Sequence, residues 1–447
     1  MKKLIVGPLK KSGISTVIVI DALDECKDRE PASAILSVLG QFVYEIPNVK
    51  FFLTGRPEPR IREGFRLPRM AEATDMFILH EVEPSQVDND IRLFFRHSFS
   101  ELAARQRRQD DWPTEDHLNI LCKRAAGLFA YAMATVRFID HSKNGPEEQL
   151  DRLLKSFGST THEGRIELRE NTTLDSLYMT ILQEAFSGDD PEDDPRTRSV
   201  LGAVTLMANP LSPSTIATLL GFRTEGVFLR LSSVHSLLIL QEDLNHPVRP
   251  FHKSFPDFIV DTTRCINERF YISPPAHHLE LLVGCLKLMN QTLEKDMCKL
   301  PDGVANSNVG DLHERVKQYL DPALQYACKS WHKHLDKHTV HKPKITSALH
   351  HFLEKKFLFW LEVLSILGTP REAVDALGMV AEWLKVCLVS VSNVLPKFTE
   401  TGSRSHQPLT LLMTVSVLQL DSLRSSVHPP HIFTTLLSHY PLKHQWY

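Results

Sequence analysis

Two periods of hydrophobicity run through this chain, the first short and strand-like, the second helical. Residues 17–20 (VIVI) are four β-branched positions ending at Asp21, residues 49–53 (VKFFL) make a second apolar run, and residues 78–82 (ILHEV) a third. Between the first two, residues 32–44 repeat their apolar positions at helical spacing. Alternating strand and helix of this length predicts a parallel α/β sheet, and four consecutive apolar residues predict a central strand buried on both faces. From residue 85 the period lengthens to that of a helix. Ser85 with Asp88 makes a capping-box-like start, and further helices are expected over 114–124 and 128–139.

Residues 187–198 (SGDDPEDDPRTR) put five carboxylates and two prolines into twelve positions, a composition that reads as a solvated linker. Past it a helix is expected over 198–208, another after Pro213, and a hairpin from 236–241 with 247–251, together suggesting a winged helix. Residues 274–395 are helical throughout, with breaks at 303–310, 342–344 and 368–370, so short antiparallel helices are predicted. The longest apolar stretch, 377–395, holds Glu382 and Lys385 and reads as a buried or amphipathic helix rather than a membrane span. Residues 396–447 show no period. The expected organisation is α/β over 1–83, a helical lid over 84–186, an acidic linker over 187–198, a winged-helix-like domain over 199–272, a helical region over 273–395 and an irregular tail over 396–447: α/β, then mostly α.

Charge narrows the function. Lysine plus arginine total 51 against 54 aspartate plus glutamate, a formal net charge of -3, which offers no global field for nucleic acid or an anionic membrane. The seven cysteines are scattered and never spaced CxxC, against a disulfide framework or a thiolate zinc site and in favour of a reducing, cytoplasmic setting. Six residues separate the lysine pairs of MKKLIVGPLKK, too few for a secretory apolar region.

Residues 17–26 (VIVIDALDEC) carry the strongest chemical signal. An aspartate at the carboxyl end of a buried strand emerges where open α/β sheets bind ligands, so Asp21 is placed to hold Mg²⁺, with Asp24 and Glu25 placed to polarise an attacking water. The same residues also suit a buried strand followed by an ordinary acidic turn. About 30 residues on, FFLTGRPEPRI (51–61) sets Arg56 just past the second strand, where a guanidinium reaches a phosphate through two parallel hydrogen bonds. By itself Arg56 reads equally as a surface arginine in a turn shaped by Pro57 and Pro59. Nowhere does GxxxxGK[ST] occur, nor HExxH, nor GxSxG. Cys328, His332, His334, His338 and His341 have zinc-ligand residue types, but only two share any helical face, which favours a solvated histidine-rich helix end. Residues 105–108 are expected to be a solvated helix end as well.

These segments resemble the NACHT-type NTPases of the STAND class, closest in wording to the large fungal NACHT set. In that resemblance 17–26 is the extended Walker B motif and 51–61 the next strand, whose arginine reads the terminal phosphate. GLFAYA (127–132) is similar to a helix start that carries Gly-x-Pro in related proteins, with Phe129 in place of the proline. RPFHKSFPDFI (249–259) resembles the winged-helix segment whose histidine contacts the β-phosphate of ADP, which makes His252 the matching residue; a satisfied histidine inside a small domain is the other reading. The resemblance implies a partial P-loop NTPase sheet with Asp21 for Mg²⁺, Asp24 and Glu25 for water, Arg56 and His252 for nucleotide, and Mg²⁺ with ATP or ADP as cofactors. It also implies self-association or NACHT partner proteins, with ADP closing and ATP opening a signalling switch. The segment LIVGPLKK sits just before the Walker B strand in that family, so the chain resembles a NACHT protein that begins after its Walker A motif. Independent hydrolysis is then not expected, and the flank of residues 17–20 is expected to lie open unless residues 4–9 fold back over it. The alternative is a non-catalytic helical interaction or decoy protein in which the Walker B remnant is only a core strand.

Overall fold

The computed structural model describes residues 6–13, 15–25, 29–105, 112–141, 145–158, 170–187, 193–301, 304–335 and 343–394. The expected irregular tail lies outside the described residues. The chain divides into two compact units, Met1–Gln86 and Val87–Tyr447.

In the first unit α1 (Gly7–Ser12) precedes β1 (Thr16–Ile20), a 3-10 turn at Leu23–Glu25, α2 (Arg29–Phe42), β2 (Val49–Leu53), α3 (Pro59–Arg66) and α4 (Pro68–Ala73). α3 and α4 each open on a proline, whose missing N–H costs nothing in a first turn. β1 and β2 pair in parallel with a constant offset, Thr16 opposite Val49 through Ile20 opposite Leu53. Leu36 and Leu39 of α2, Ile61 of α3 and Met70 of α4 close over Ile20, Phe51 and Leu53 on one face of this sheet. A Cβ on Gly64 of α3 would lie 2.6 Å from Leu36 Cδ1, so the glycine permits the close approach of α3 to α2.

Two expectations need correction. The central strand is half-buried, not fully buried: Val17 and Val19 are 62% and 63% exposed and Phe52 59%, because the helices of this unit cover one face only. The run at 78–82 forms a 3-10 turn, Leu79–Glu81, instead of a third strand, and the described sheet has two strands. Leu79 is itself 76% exposed, so no burial rewards an extended conformation there. Val6, just before α1, is buried against Ile46 and Val49, with Leu9, Ile18 and Phe51 around it, so residues 6–9 pack on the covered face of the sheet and leave Val17, Val19 and Phe52 exposed on the other.

The second unit is helical. α5 (Pro84–Arg105), α6 (Glu115–Ala125), α7 (Phe129–Asp140), α8 (Pro146–Gly158), α9 (Glu170–Ala185), α10 (Asp193–Leu206), α11 (Pro213–Leu220) and α12 (Thr224–Ser233) lead to a short antiparallel pair, β3 (Leu238–Ile239) with β4 (Arg249–Pro250), and to α13 (Ser254–Ile259). α5 starts at Pro84, one residue ahead of the expected cap. Thr114 caps α6 by accepting the His117 N–H at 3.3 Å, and Ser212 caps α11 by accepting that of Thr215 at 3.3 Å. Residues 193–198, expected as linker, form the first turns of α10. One apolar core runs from Ile91 of α5 past α13 to Leu281, with members on both sides of that acidic segment. Asp193, Asp194 and Pro195 fall in the first turn of α10, a position that suits both proline and acidic residue types, and residues 188–192 lie outside the described residues.

Beyond α13 come α14 (Pro274–Thr292), α15 (Leu312–Tyr319), α16 (Pro322–Ser330), a 3-10 turn at Trp331–His334, α17 (Pro343–His351), a π-helical turn at Phe352–Lys356, α18 (Phe357–Ile366) and α19 (Arg371–Val394). Trp331, Phe352 and Trp360 meet edge to face at 5.4–6.1 Å, and Trp360 Nε1 donates to the Cys328 carbonyl at 2.8 Å. No helix among the described residues is long and apolar enough to cross a membrane.

Candidate functional site

At the carboxyl ends of β1 and β2 the backbone stays joined after the ladder ends. Thr54 N–H donates to the Ile20 carbonyl at 3.0 Å, and Leu23 N–H donates to that of Thr54 at 2.9 Å. Between them Ala22 takes a left-handed φ of 53° and turns its N–H onto Thr54 Oγ1 at 2.8 Å. The Thr54 hydroxyl in turn donates to Asp21 Oδ1. Asp21 and Thr54 thus form one rung past the last strand pair, held by a side chain that sequence reasoning had passed over.

A second rung lies alongside. Asp24 Oδ1 accepts the Arg56 backbone N–H at 3.0 Å, and Asp24 Oδ2 lies 3.7 Å from Arg56 Nε. The Asp24 side chain is 4% exposed, whereas that of Arg56 is 47% exposed. Glu25 is exposed on the same 3-10 turn. Asp21, Asp24, Glu25 and Arg56, the four candidate residues of this unit, are therefore brought to one end of one small sheet. Within that group Asp24 holds the Arg56 loop, while Asp21 and Glu25 face solvent.

His252 belongs to the second unit. It follows β4, where Phe251 N–H donates to the Leu237 carbonyl at 2.8 Å and begins the turn into α13. Its ring is exposed, with Nδ1 3.2 Å from the Ser254 backbone N–H and 2.6 Å from Ser254 Oγ. The hairpin is tied to α7 by Arg137, whose guanidinium donates to the carbonyls of His235, Ser236 and Leu238 at 2.6–3.2 Å and sits 4.6 Å over the Phe251 ring. Burial pulls the Arg137 pKa down, opposed by Asp140. Nothing in the local sequence marked Arg137, because its three acceptors lie about 100 residues away. Phe129 opens α7 and meets Phe94 edge to face at 6.1 Å; Ala126 and Gly127 before it both take positive φ.

The histidine-rich segment is not the solvated helix end expected. His332 and His334 are each 1% exposed. His334 Nε2 pairs with Tyr326 Oη at 2.8 Å and its Nδ1 with His278 Nδ1 at 3.0 Å, because the 3-10 turn after α16 rolls this segment into the core instead of continuing along the surface. Burial raises the Cys328 thiol pKa, which disfavours the thiolate a metal would need. No group of three or more metal-ligating side chains occurs among the described residues, and His338 and His341 lie outside them.

No family model matches the chain, and no solved structure matches it. It is similar to the vegetative incompatibility protein HET-E-1 of Podospora anserina, 24% identical over 391 residues, an alignment covering 81% of this chain and 26% of that protein. The chain thus spans about a quarter of the length of that relative.

Proposed function

We propose that the chain is part of a NACHT-type, nucleotide-dependent signalling switch, and that its first unit supplies the Walker B and sensor side of a nucleotide site. The observation that carries this reading is the convergence of Asp21, Thr54, Asp24 and Arg56 at the carboxyl ends of two adjacent parallel strands, the place where open α/β sheets bind ligands. The similarity to HET-E-1 supports a role in signalling or incompatibility.

In this reading Asp21 offers an oxygen to Mg²⁺, the hard cation that accompanies nucleotide phosphates, with the Thr54 hydroxyl fixing the carboxylate. Glu25, exposed beside it, polarises water. Asp24 positions Arg56 for a terminal phosphate, and in the second unit His252 is a donor to nucleotide phosphate as part of a winged-helix-like segment. Phosphate positioning supplies most of the catalysis in phosphoryl transfer, and the sequence holds no GxxxxGK[ST]. Weak ATP or ADP binding without turnover is the expected behaviour of this chain.

Calorimetric titration with Mg-ADP and Mg-ATP tests the proposal, with Asp21→Ala and Arg56→Ala as controls. Weak binding lost in both variants supports it. Low-micromolar, Mg²⁺-dependent affinity that survives both substitutions would place the phosphate donors elsewhere. No binding at any concentration favours the non-catalytic interaction protein, in which the helical cores of the second unit do the work.

A further inference from the structure

Two side chains from two elements, Ser254 of α13 and Tyr178 of α9, line up behind His252. Tyr178 of α9 packs its ring against Phe255 and Phe258, centroids 5.5 Å from each, and its hydroxyl lies 2.6 Å from Ser254 Oγ. Ser254 Oγ lies 2.6 Å from His252 Nδ1, and the Ser254 backbone N–H points at the same nitrogen from 3.2 Å. Helix α9 is fastened one turn away, where Asp175 takes two hydrogen bonds from Arg264, 3.0 Å to Nε and 2.7 Å to Nη2.

Donor counting fixes the direction of this chain. A backbone N–H can only donate, so a proton on His252 Nδ1 would set two donors against each other; Nδ1 therefore accepts. Ser254 has one hydroxyl proton, which goes to Nδ1 and leaves its oxygen to accept from Tyr178. In the reverse order the buried Tyr178 proton would have no acceptor among the described residues, and a buried hydroxyl without a partner is costly. Burial drives the Tyr178 pKa up to about 12, so it stays a donor at neutral pH.

We propose that Tyr178 and Ser254 are positioning residues that lock His252 in the tautomer carrying its proton on Nε2, making the ring a fixed donor toward an anionic oxygen such as a nucleotide phosphate. The identity of that anion rests on the proposed nucleotide reading; the tautomer does not. Because Tyr178 rides on α9, a shift of that helix would release the ring and weaken the donor, coupling the helices before residue 187 to the state of His252.

The experiment reads the tautomer directly. In the full chain labelled with nitrogen-15 histidine, long-range proton–nitrogen correlation at neutral pH distinguishes the two ring forms, and His252→Gln identifies the signal. The wild type is expected to show the Nε2–H form. Ser254→Ala and Tyr178→Phe should move it toward a mixture, and Ser254→Thr, which keeps a hydroxyl, should hold it. An Nδ1–H form in the wild type overturns the proposal without any variant, and so does a signal unmoved by both Ser254→Ala and Tyr178→Phe. Titrations with ADP and inorganic phosphate separate the two readings. Absence of ADP binding to the wild type removes the nucleotide reading and leaves the tautomer result standing. Binding that weakens about fivefold in Ser254→Ala, the scale of one lost hydrogen bond, and is kept in Ser254→Thr supports both.

Discussion

Asp24 and Arg56 stand 32 residues apart in sequence, yet the carboxylate of the first accepts the backbone N–H of the second at 3.0 Å and faces its guanidinium at 3.7 Å. The contact makes Asp24 a nearly buried brace for the loop after β2, not a solvent-facing acid. Removing its charge should therefore loosen the Arg56 loop before it affects any water chemistry.

Asp24→Asn is expected to lower stability by about 1–2 kcal/mol, the scale of one charge-assisted hydrogen bond. Chemical denaturation of Asp24→Asn, Arg56→Ala and the double variant should show non-additive effects. Strict additivity would mean that the two side chains do not act together.

Thr54→Val keeps the shape of the side chain but removes the hydroxyl that bridges Asp21 and the Ala22 N–H. A loss of about 1–2 kcal/mol is expected, with Thr54→Ser close to wild type. Hydrogen exchange at Ala22 provides a local check: its amide should lose protection in Thr54→Val and keep it in Thr54→Ser.

Arg137→Met keeps an apolar stem but removes the guanidinium over Phe251 and strips three backbone carbonyls of their donor. The expected cost is about 2–3 kcal/mol, with broadened thermal unfolding of the second unit. A melting temperature indistinguishable from wild type would show that water takes over all three carbonyls.

His332 gives stability a pH dependence. Burial holds its pKa down to about 4, Lys333 acting in the same direction, against an ordinary value of 6.5. Glu372 lies 3.4 Å from His332 Nε2 but is also taken by Lys333 Nζ at 3.3 Å, so desolvation dominates. The unfolded chain takes up a proton that the folded chain refuses, so this contribution is fully present above pH 6.5 and is lost as pH falls toward 4, by up to about 3 kcal/mol. His332→Gln should flatten the melting-temperature profile over that interval. An unchanged slope would assign the acid sensitivity to other groups.

The outward face of the two-stranded sheet presents Val17, Val19 and Phe52 beside Lys50. Association of the isolated chain at tens of micromolar, on the scale at which exposed apolar strands pair, is expected in sedimentation and should be reduced by Val19→Lys. A monodisperse wild-type monomer with cooperative unfolding would contradict it.

Much of the scaffold was legible because its signals are local. Four β-branched residues ending in aspartate marked β1, the period marked α2 and the helices from residue 85 onward, and Pro213 marked a helix first turn, whereas the caps at Thr114 and Ser212 emerged only from the structure. The segment at 78–82 misled because apolar content alone does not make a strand; a strand needs a partner edge, and periodicity cannot supply one. The acidic stretch misled in the opposite sense, since carboxylates and prolines suit a helix start as well as a loop, and position 193 is where α10 begins.

By itself the sequence determined β1 and β2 and their order, the helical period of the long second part, and the presence of Asp21, Asp24, Glu25 and Arg56 near strand ends. Tertiary structure alone decided which of these groups meet. The parallel register that sets Ile20 opposite Leu53 carries on to place Thr54 beside Asp21, and the 3-10 turn then folds Asp24 under Arg56. The roles of Arg137 and Tyr178 were likewise settled by packing, for their partners lie 76 to 101 residues away. Local propensity acts over a few residues, whereas hydrogen-bond partners are chosen by which elements the apolar cores bring together.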